Sequence, residues 1–365
     1  MKITKVDTVL VRIPRRRHDG PPSGFGGRIW TTIDTLLVRV DTEDGLSGWG
    51  EAFGYNVNEG TKATIDTLIG PLCIGRDSTA IAQLMAELQQ TLHFFGRGGP
   101  VIYGLSGIDI ALWDLAGKRA GLPLYRLLGG PARRQLPAYA SLMRYRDPAA
   151  IAKISAEAVE RGFRYIKLHE IDVPPVASAR EAAGPAARIM VDTNCPWSLR
   201  QAQSMMQQLA AYDIFWLEEP IWPPEDFAAL AELRRTSLMP IAAGENAGSA
   251  LQFAQMLAAR AIDYAQPSVT KIGGVSELRK VLTLAEAANV TVAPHSPYFG
   301  PGLLATMQIL AAAPQEMLVE RLHVDLEASL FGEFITAKDG MMTVPDAPGL
   351  GCDPDGEVIA RYRVA

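Results

Sequence analysis

The sequence predicts an α/β barrel carried behind a smaller α+β domain, and three observations make that prediction. First, short apolar runs recur in the second half, each ending in polar side chains. They are YIKLHE (Lys167, His169), RIMVDTN (Asp192, Asn194), IFWLEEP (Glu218), PIAAGEN (Glu245), YAQPSV (Gln266, Ser268), TVAPHS (His295) and LVERL (Glu320). Measured from His169 through Asp192, Glu218, Glu245, Ser268 and His295 to Glu320, the intervals are 23, 26, 27, 23, 27 and 25 residues. Each fits one strand, one loop and one helix. Second, the runs are continuously apolar, as parallel strands buried on both faces must be. Third, the first 53 residues alternate apolar with polar side chains instead, and helical periodicity follows them. In a barrel of this kind every strand ends at one rim, so residues remote in sequence converge on one pocket. The chain is therefore expected to be an enzyme.

Taken in order, KITKVDTVLVRI and TIDTLLVRV read as antiparallel strands, and the turn TEDG leads into LSGWGEAF. Between the first two lies RRRHDGPPSGFGGRIW, whose Gly and Pro content makes it a loop. Residues 61–93 and 106–119 carry helical periodicity, and Gly121 with Pro123 stops the second helix. From LPAYASL (136–142) strands and helices alternate, with helices at 148–161, 199–211, 225–235, 248–259 and 275–288, giving eight strands in all. After about 335 the rhythm stops, and TAKDGMMTVPDAPGLG is expected to run back onto the first domain. The expected division is a capping domain at 1–130, a barrel at 131–335 and a C-terminal return at 336–365.

With 365 residues, 48% hydrophobic and 21% charged, the composition is that of a folded globular protein of about two domains. A net charge of −5 gives no reason to expect nucleic acid or an anionic membrane as a partner. Cys73, Cys195 and Cys352 are scattered and form no CxxC, which argues against a disulfide framework or a zinc site. No signal peptide or transmembrane run is read, so a cytoplasmic location is expected.

Asp192, Glu218 and Glu245 end three consecutive strands and should stand side by side on the rim. One such carboxylate alone could equally cap the next helix. Three together would repel without a cation, and hard oxygen ligands with no Cys or His favour Mg²⁺ over zinc. Glu219 should point the opposite way from Glu218 on an extended chain.

VDTN, LEEP and GEN, followed by KIGG (271–274), the APHS histidine and the VERL glutamate, resemble the enolase superfamily, and within it the mandelate racemase subgroup. SGIDIALWDLAGKRAGLPLYRLLGG (106–130) and PDAPGLG (345–351) extend the resemblance over essentially the whole chain. It implies a (β/α)7β modified TIM barrel with an N-terminal α+β capping domain completed by the C-terminal segment. It implies one Mg²⁺ per subunit on Asp192, Glu218 and Glu245, and chemistry that begins by removing a proton α to a carboxylate. By the same resemblance, Lys167 touches the substrate carboxylate, and Glu320, held protonated, donates to the developing enediolate. Lys271 and Ser268 stand behind the ligands and bases.

Two positions depart from the family. The usual KxK of the second strand is KLH here, placing His169 at the base position. An i, i+2 pair shares one side of a strand, so Lys167 and His169 can face one substrate, and a histidine titrates near neutrality. The aspartate that normally partners the seventh-strand histidine is Ser268, so His295 is expected to act chiefly as an acid on a leaving group. Ser268 also argues against the muconate-lactonising and dipeptide-epimerase branches, which carry a lysine there. His93 and His323 are read as structural.

The preferred reaction is dehydration of an acid sugar to a 2-keto-3-deoxy acid. The alternatives are a racemase or epimerase of a 2-hydroxy acid, a sugar-lactone cycloisomerase, and an inactive metal-binding homologue. The loop 15–30 is expected to cover the barrel mouth, with Arg17, His18 and Arg28 joining Asn194 in binding a polyhydroxy acid or diacid. The expected partners are a small-molecule carboxylate and further copies of the chain in a homo-oligomer.

Overall fold

The structure is a computed structural model that describes residues 1–16, 23–24 and 28–364. The alternating N-terminal runs form an antiparallel sheet of β1 (Ile3–Pro14), β2 (Thr32–Thr42) and β3 (Ser47–Ala52), in that order. Leu10 pairs with Leu36 and Val38 with Gly50, so one face is apolar and takes the helix Pro100–Ala120. That helix lies close because glycines meet at the crossing. A β-carbon on Gly50 would stand 1.9 Å from the carbonyl oxygen of Gly107. Gly121, at φ 66°, ends the helix in the left-handed conformation that glycine adopts without a Cβ penalty.

The helical periodicity of 61–93 is interrupted. After Gly70–Cys73 the chain leaves the helix, and the helix resumes at Ile81–Leu92. The intervening turn pairs with the start of β1, through Ile3 N donating to Arg76 O at 2.9 Å and Ser78 N to Met1 O at 2.8 Å. Tertiary pairing overrides local periodicity there.

Eight parallel strands follow: β4 (Gln135–Ser141), β5 (Tyr165–Leu168), β6 (Arg188–Asp192), β7 (Ile214–Glu218), β8 (Ile241–Ala243), β9 (Tyr264–Ala265), β10 (Thr291–Val292) and β11 (Val319–Leu322). Their ladder runs β10-β9-β8-β7-β6-β5-β4-β11. Seven main helices alternate with them: Pro148–Glu160, Val173–Ala183, Leu199–Leu209, Phe227–Arg235, Ala250–Ala258, Gly274–Ala287 and Pro301–Ala312. This is a (β/α)7β modified TIM barrel. Beyond β10, Ser296 N donates to Glu320 Oε2 at 2.9 Å and ties the end of the ladder to β11.

Local chemistry sets the helix starts. Asp147 accepts from Ala149 N and Ala150 N ahead of Pro148, and Ser198 forms a reciprocal capping box with Gln201. Inside the barrel, Tyr139, Met190, Trp216, Ala242 and Ala293 form a buried layer. The two-residue period of a strand then carries Asp192 two positions above Met190, and Glu218 two above Trp216, on the same inward side.

The capping domain docks by placing acidic side chains at the N-termini of barrel helices, where backbone N–H groups lack helical partners. Glu51 of β3 accepts from Gly302 N at 2.8 Å. Asp109 accepts from Ser276 N at 3.0 Å and from Ser276 Oγ at 2.5 Å. The C-terminal segment returns in two steps. It first adds β12 (Met341–Thr343) antiparallel to β4 at the base of the barrel. It then reaches the capping domain, where Asp114 accepts from Leu350 N at 2.8 Å and Leu10 O from Val364 N at 2.8 Å.

Candidate active site

The strand ends bring the sequence-predicted carboxylates together. One oxygen from each of Asp192, Glu218 and Glu245 lies within 4.8 Å of the others. Asp192 and Glu218 terminate β6 and β7, are fully buried, and sit opposite each other in the ladder register. Glu245 lies two residues beyond β8. Trp216 Nε1 donates to Glu218 Oε2 at 2.9 Å, and Asn194 N donates to Asp192 Oδ1 at 2.9 Å, so two ligand candidates are oriented from below and beside. Asp192 Oδ2 is buried and accepts no aligned hydrogen bond, although Lys167 Nζ is 3.0 Å away. Three hard oxygen donors gathered this closely fit a divalent cation such as Mg²⁺. Glu219 does point the other way, accepting from Gly244 N and Cys195 Sγ.

Lys167 is the counter-ion at the centre. Its Nζ lies 3.0 Å from Asp192, 2.5 Å from Glu218 and 3.3 Å from Glu320, and the side chain has no solvent exposure. Burial alone would lower the ammonium pKa, but the facing carboxylates of Asp192, Glu218 and Glu320 raise it well above the usual lysine value. Burial pushes Glu218 up, and its neighbours Asp192 and Glu320 add to this against the pull of Lys167. Asp192 is held below the usual range despite its burial, because Lys167 and His169 both face it.

Glu320, expected from the resemblance to be an acid held protonated, is contacted on both oxygens. Its Oε1 accepts from Ser141 Oγ at 2.7 Å and its Oε2 from Ser296 N at 2.9 Å. Burial raises its pKa, but Lys167, His295 and the Ser141 hydroxyl outweigh burial and lower it.

Two histidines flank the carboxylates. His169, just past β5, has Nε2 at 3.2 Å from Asp192 Oδ2, and its Nδ1 is bonded to the carbonyl of Leu142. A carbonyl offers no proton, so Nδ1 carries one and the ring directs Nε2 at Asp192. His295, past β10, has Nε2 at 2.9 Å from Glu245 Oε2 and Nδ1 at 3.3 Å from the hydroxyl of Tyr298. That hydroxyl is in turn hydrogen-bonded to Ser268. The serine that replaces an acidic partner is therefore joined to His295 through a tyrosine. Lys271 lies 4.0 Å from Glu245 and over the ring of Phe53.

Above these groups is a cavity of about 400 Å³, within the range of small-molecule sites. His169, Asn194, Glu245, Lys271, His295 and Glu320 line it, whereas Lys167, Asp192 and Glu218 are buried beneath. The capping domain supplies its aromatic wall. Trp30 and Tyr55 have ring centroids 4.8 Å apart, and Phe53 and Tyr55 4.7 Å. Trp30 is the end of the predicted covering loop, and its carbonyl is held by Arg15 at 2.8 Å. Arg28 lies with Arg12, Asp34 and Glu59 in an adjoining cavity and does not line this one. Arg17 and His18 lie outside the described residues.

Sequence reasoning missed Arg144, Tyr298 and the aromatic wall. Arg144, three residues past β4, donates to His169 O at 2.7 Å, Thr193 O at 3.0 Å and Asn194 Oδ1 at 2.7 Å. Its position just past the end of a predicted barrel strand was the available signal. Tyr298 had one too, standing three residues after His295.

Comparison with known proteins agrees with this geometry. The family model described as Enolase C-terminal domain-like matches residues 150–358, and the mandelate racemase / muconate lactonizing enzyme N-terminal domain matches residues 10–129. The chain belongs to the enolase superfamily, in its mandelate racemase subgroup. Among superfamily members, a D-galactarolactone cycloisomerase of Agrobacterium fabrum is 33% identical, the match covering 100% of this chain and 99% of that protein. An arabinonate dehydratase of Saccharolobus solfataricus is 31% identical, covering 91% of each. The crystal structure of a racemase from Streptomyces coelicolor A3(2) with bound magnesium superposes with a TM-score of 0.87 at 30% identity, covering 99% of this chain and 100% of that one.

Proposed function

We propose that this enzyme is an Mg²⁺-dependent acid sugar dehydratase that removes the proton α to a carboxylate and expels a β-hydroxyl, giving a 2-keto-3-deoxy acid. The observation that carries the reading is the arrangement of His169 and His295 on either side of the Asp192–Glu218–Glu245 cluster, at the floor of one small cavity. The dehydratase among its relatives supports the same class. One Mg²⁺ per subunit on the three carboxylates would supply a Lewis acid that offsets charge developing on the substrate carboxylate; magnesium in the Streptomyces coelicolor structure supports this choice of metal.

In this reading His169 is the base, and its bond to Leu142 holds Nε2 toward the carboxylate cluster. His295 delivers a proton to the leaving hydroxyl. Lys167 offsets charge on the substrate carboxylate, and Glu320 holds Lys167 in place. Asn194 and Arg144 read the substrate's hydroxyl or distal acid end, and Arg28 lies in the adjoining cavity. Lys271 and Ser268 support Glu245 and His295. The proposal includes the division into a capping domain at 1–130, a barrel at 131–335 and a return at 336–365, with the protein acting in the cytoplasm as a homo-oligomer.

A sugar-lactone cycloisomerase is the second reading, favoured by the full-length match to D-galactarolactone cycloisomerase. Its first step is the same. The test of the proposal is a panel of aldonic and aldaric acids incubated with the enzyme and Mg²⁺, with 2-keto acids detected by semicarbazide. Formation of a keto acid from at least one member supports the reading, and a panel without any would refute it.

A further inference from the structure

We propose that the exposed aromatic pair Phe94–Phe95 and the groove beside it form a two-fold interface, in which the pair of one copy enters the groove of a second copy of this chain. The inference names the surface behind the homo-oligomer proposed above and rests on that reading. It is independent of the reaction catalysed.

The pair follows directly on the helix Ile81–Leu92, and its members are 84% and 60% exposed. Two neighbouring phenylalanines held in water are unfavourable, and an exposed apolar group of this size marks a contact surface. The pair is fixed in shape. Its rings meet edge to face with centroids 5.8 Å apart, Gly96 N donates to His93 O at 3.3 Å, and His93 Nδ1 is bonded to Gln90 O at 2.6 Å. The chain just beyond rests on the barrel, where a β-carbon on Gly248 would lie 3.6 Å from Arg97 O. An aromatic knob already ordered loses little entropy when it is covered.

The groove adjoins the knob, because His93 and Arg97, on either side of the pair in sequence, line it. It has a volume of about 900 Å³ and runs between the capping domain and the barrel. Ala82 and Ala86, one turn apart on the helix Ile81–Leu92, keep one wall low, and Arg279 and Thr283, one turn apart on Gly274–Ala287, make the other. Trp113 also lines it, with Nε1 donating to Ser276 Oγ at 2.9 Å and the Arg279 guanidinium 5.3 Å from its ring centroid. Lys280 is paired with Glu277, whereas Arg97 and Arg279 are exposed and have no ion pair among the described residues.

Three features select a second copy as the occupant. Knob and groove lie side by side on one surface, as a two-fold contact requires when each copy supplies both parts. Guanidinium groups without carboxylate partners, beside a tryptophan, are complementary to an aromatic ring and repel another cation. The area also suffices. Two exposed phenylalanines and the groove walls they cover, taken twice by symmetry, remove on the order of 1,000 Å² from water, which is the size a specific interface must reach.

Sedimentation of the full-length protein over a range of concentrations tests this. The wild type should have at least twice the mass of one chain. Phe94→Asp removes the knob and Ala86→Trp fills the groove, and both positions are exposed, so neither change disturbs the core. Each change occurs twice in a two-fold contact, so each should raise the dissociation constant by at least about 10²-fold and bring the mass down to half or less. Leu238→Asp, at another exposed apolar residue, should leave the mass unchanged. A wild type that is monomeric at every concentration sinks the homo-oligomer reading and this inference together. An oligomer that keeps its mass in either Phe94→Asp or Ala86→Trp, or that loses it in Leu238→Asp, overturns the inference alone.

Discussion

His169 Nδ1 is hydrogen-bonded to the main-chain carbonyl of Leu142, which fixes a proton on one ring nitrogen and turns the other toward Asp192. The ring of His169, the proposed base, is thus oriented by backbone. It follows that His169→Asn should lower turnover by at least about 10²-fold, the usual weight of a positioned general base. It should equally abolish exchange of the substrate α-proton with D₂O. Retained exchange at the wild-type rate would transfer the role to another group. His295→Asn should behave differently, with product lost while exchange persists, since the proton is still removed and returned by His169.

Removal of the metal should separate binding from folding. EDTA treatment should abolish turnover, and Mg²⁺ should restore it. Glu245→Gln should weaken Mg²⁺ binding by at least tenfold in calorimetry. If the EDTA-treated enzyme retains full activity, the carboxylates have another role.

Lys167 bears on the same cluster from within. Lys167→Met leaves Asp192, Glu218 and Glu320 facing one another without the buried cation, a loss that costs several kcal/mol where charges are fully buried. The melting temperature in EDTA should therefore fall by several degrees, and Mg²⁺ should recover more of it in the variant than in the wild type. An unchanged melt would show that the lysine does not balance the carboxylates.

Glu51 gives a pH dependence that lies away from the metal ligands. Burial in the interdomain contact pushes its carboxyl up to about 8, against an opposing hydrogen bond from Gly302 N. A carboxyl harder to ionise when folded stabilises the fold below its ordinary range near 4.5, where both states hold the proton. As pH rises toward 8 the unfolded chain ionises first and this contribution, on the order of a few kcal/mol, is lost. Glu51→Gln should match the wild type in urea denaturation at pH 4.5 and exceed it at pH 9. Parallel pH profiles would contradict the assignment.

The architecture was legible in the sequence because each barrel strand is a buried apolar run ending in a polar residue, and the 23- to 27-residue beat survives loop variation. The carboxylate trio and both histidines were legible for the same reason: they sit at or just past strand ends. The helix break near Gly75 was not, because pairing of Arg76 and Ser78 with the first residues of the chain decides it. The hydrogen bonds that hold Glu320 were not, because its donors, Ser141 and Ser296, come from other parts of the barrel. Tyr298 and Arg144 went unread because their meaning depends on which atoms they touch.

The most direct test of the central claim is the mass of the product formed in D₂O from an acid sugar that the enzyme turns over. A dehydratase that forms an enolate with His169 as base should give a 2-keto acid lighter than its substrate by one water, apart from deuterium gained from solvent, and lose this activity in His169→Asn. A keto product of unchanged composition would assign the enzyme to lactone cycloisomerisation. Recovered substrate with deuterium at the α-carbon and inverted configuration, without keto acid, would contradict the account and make it an epimerase.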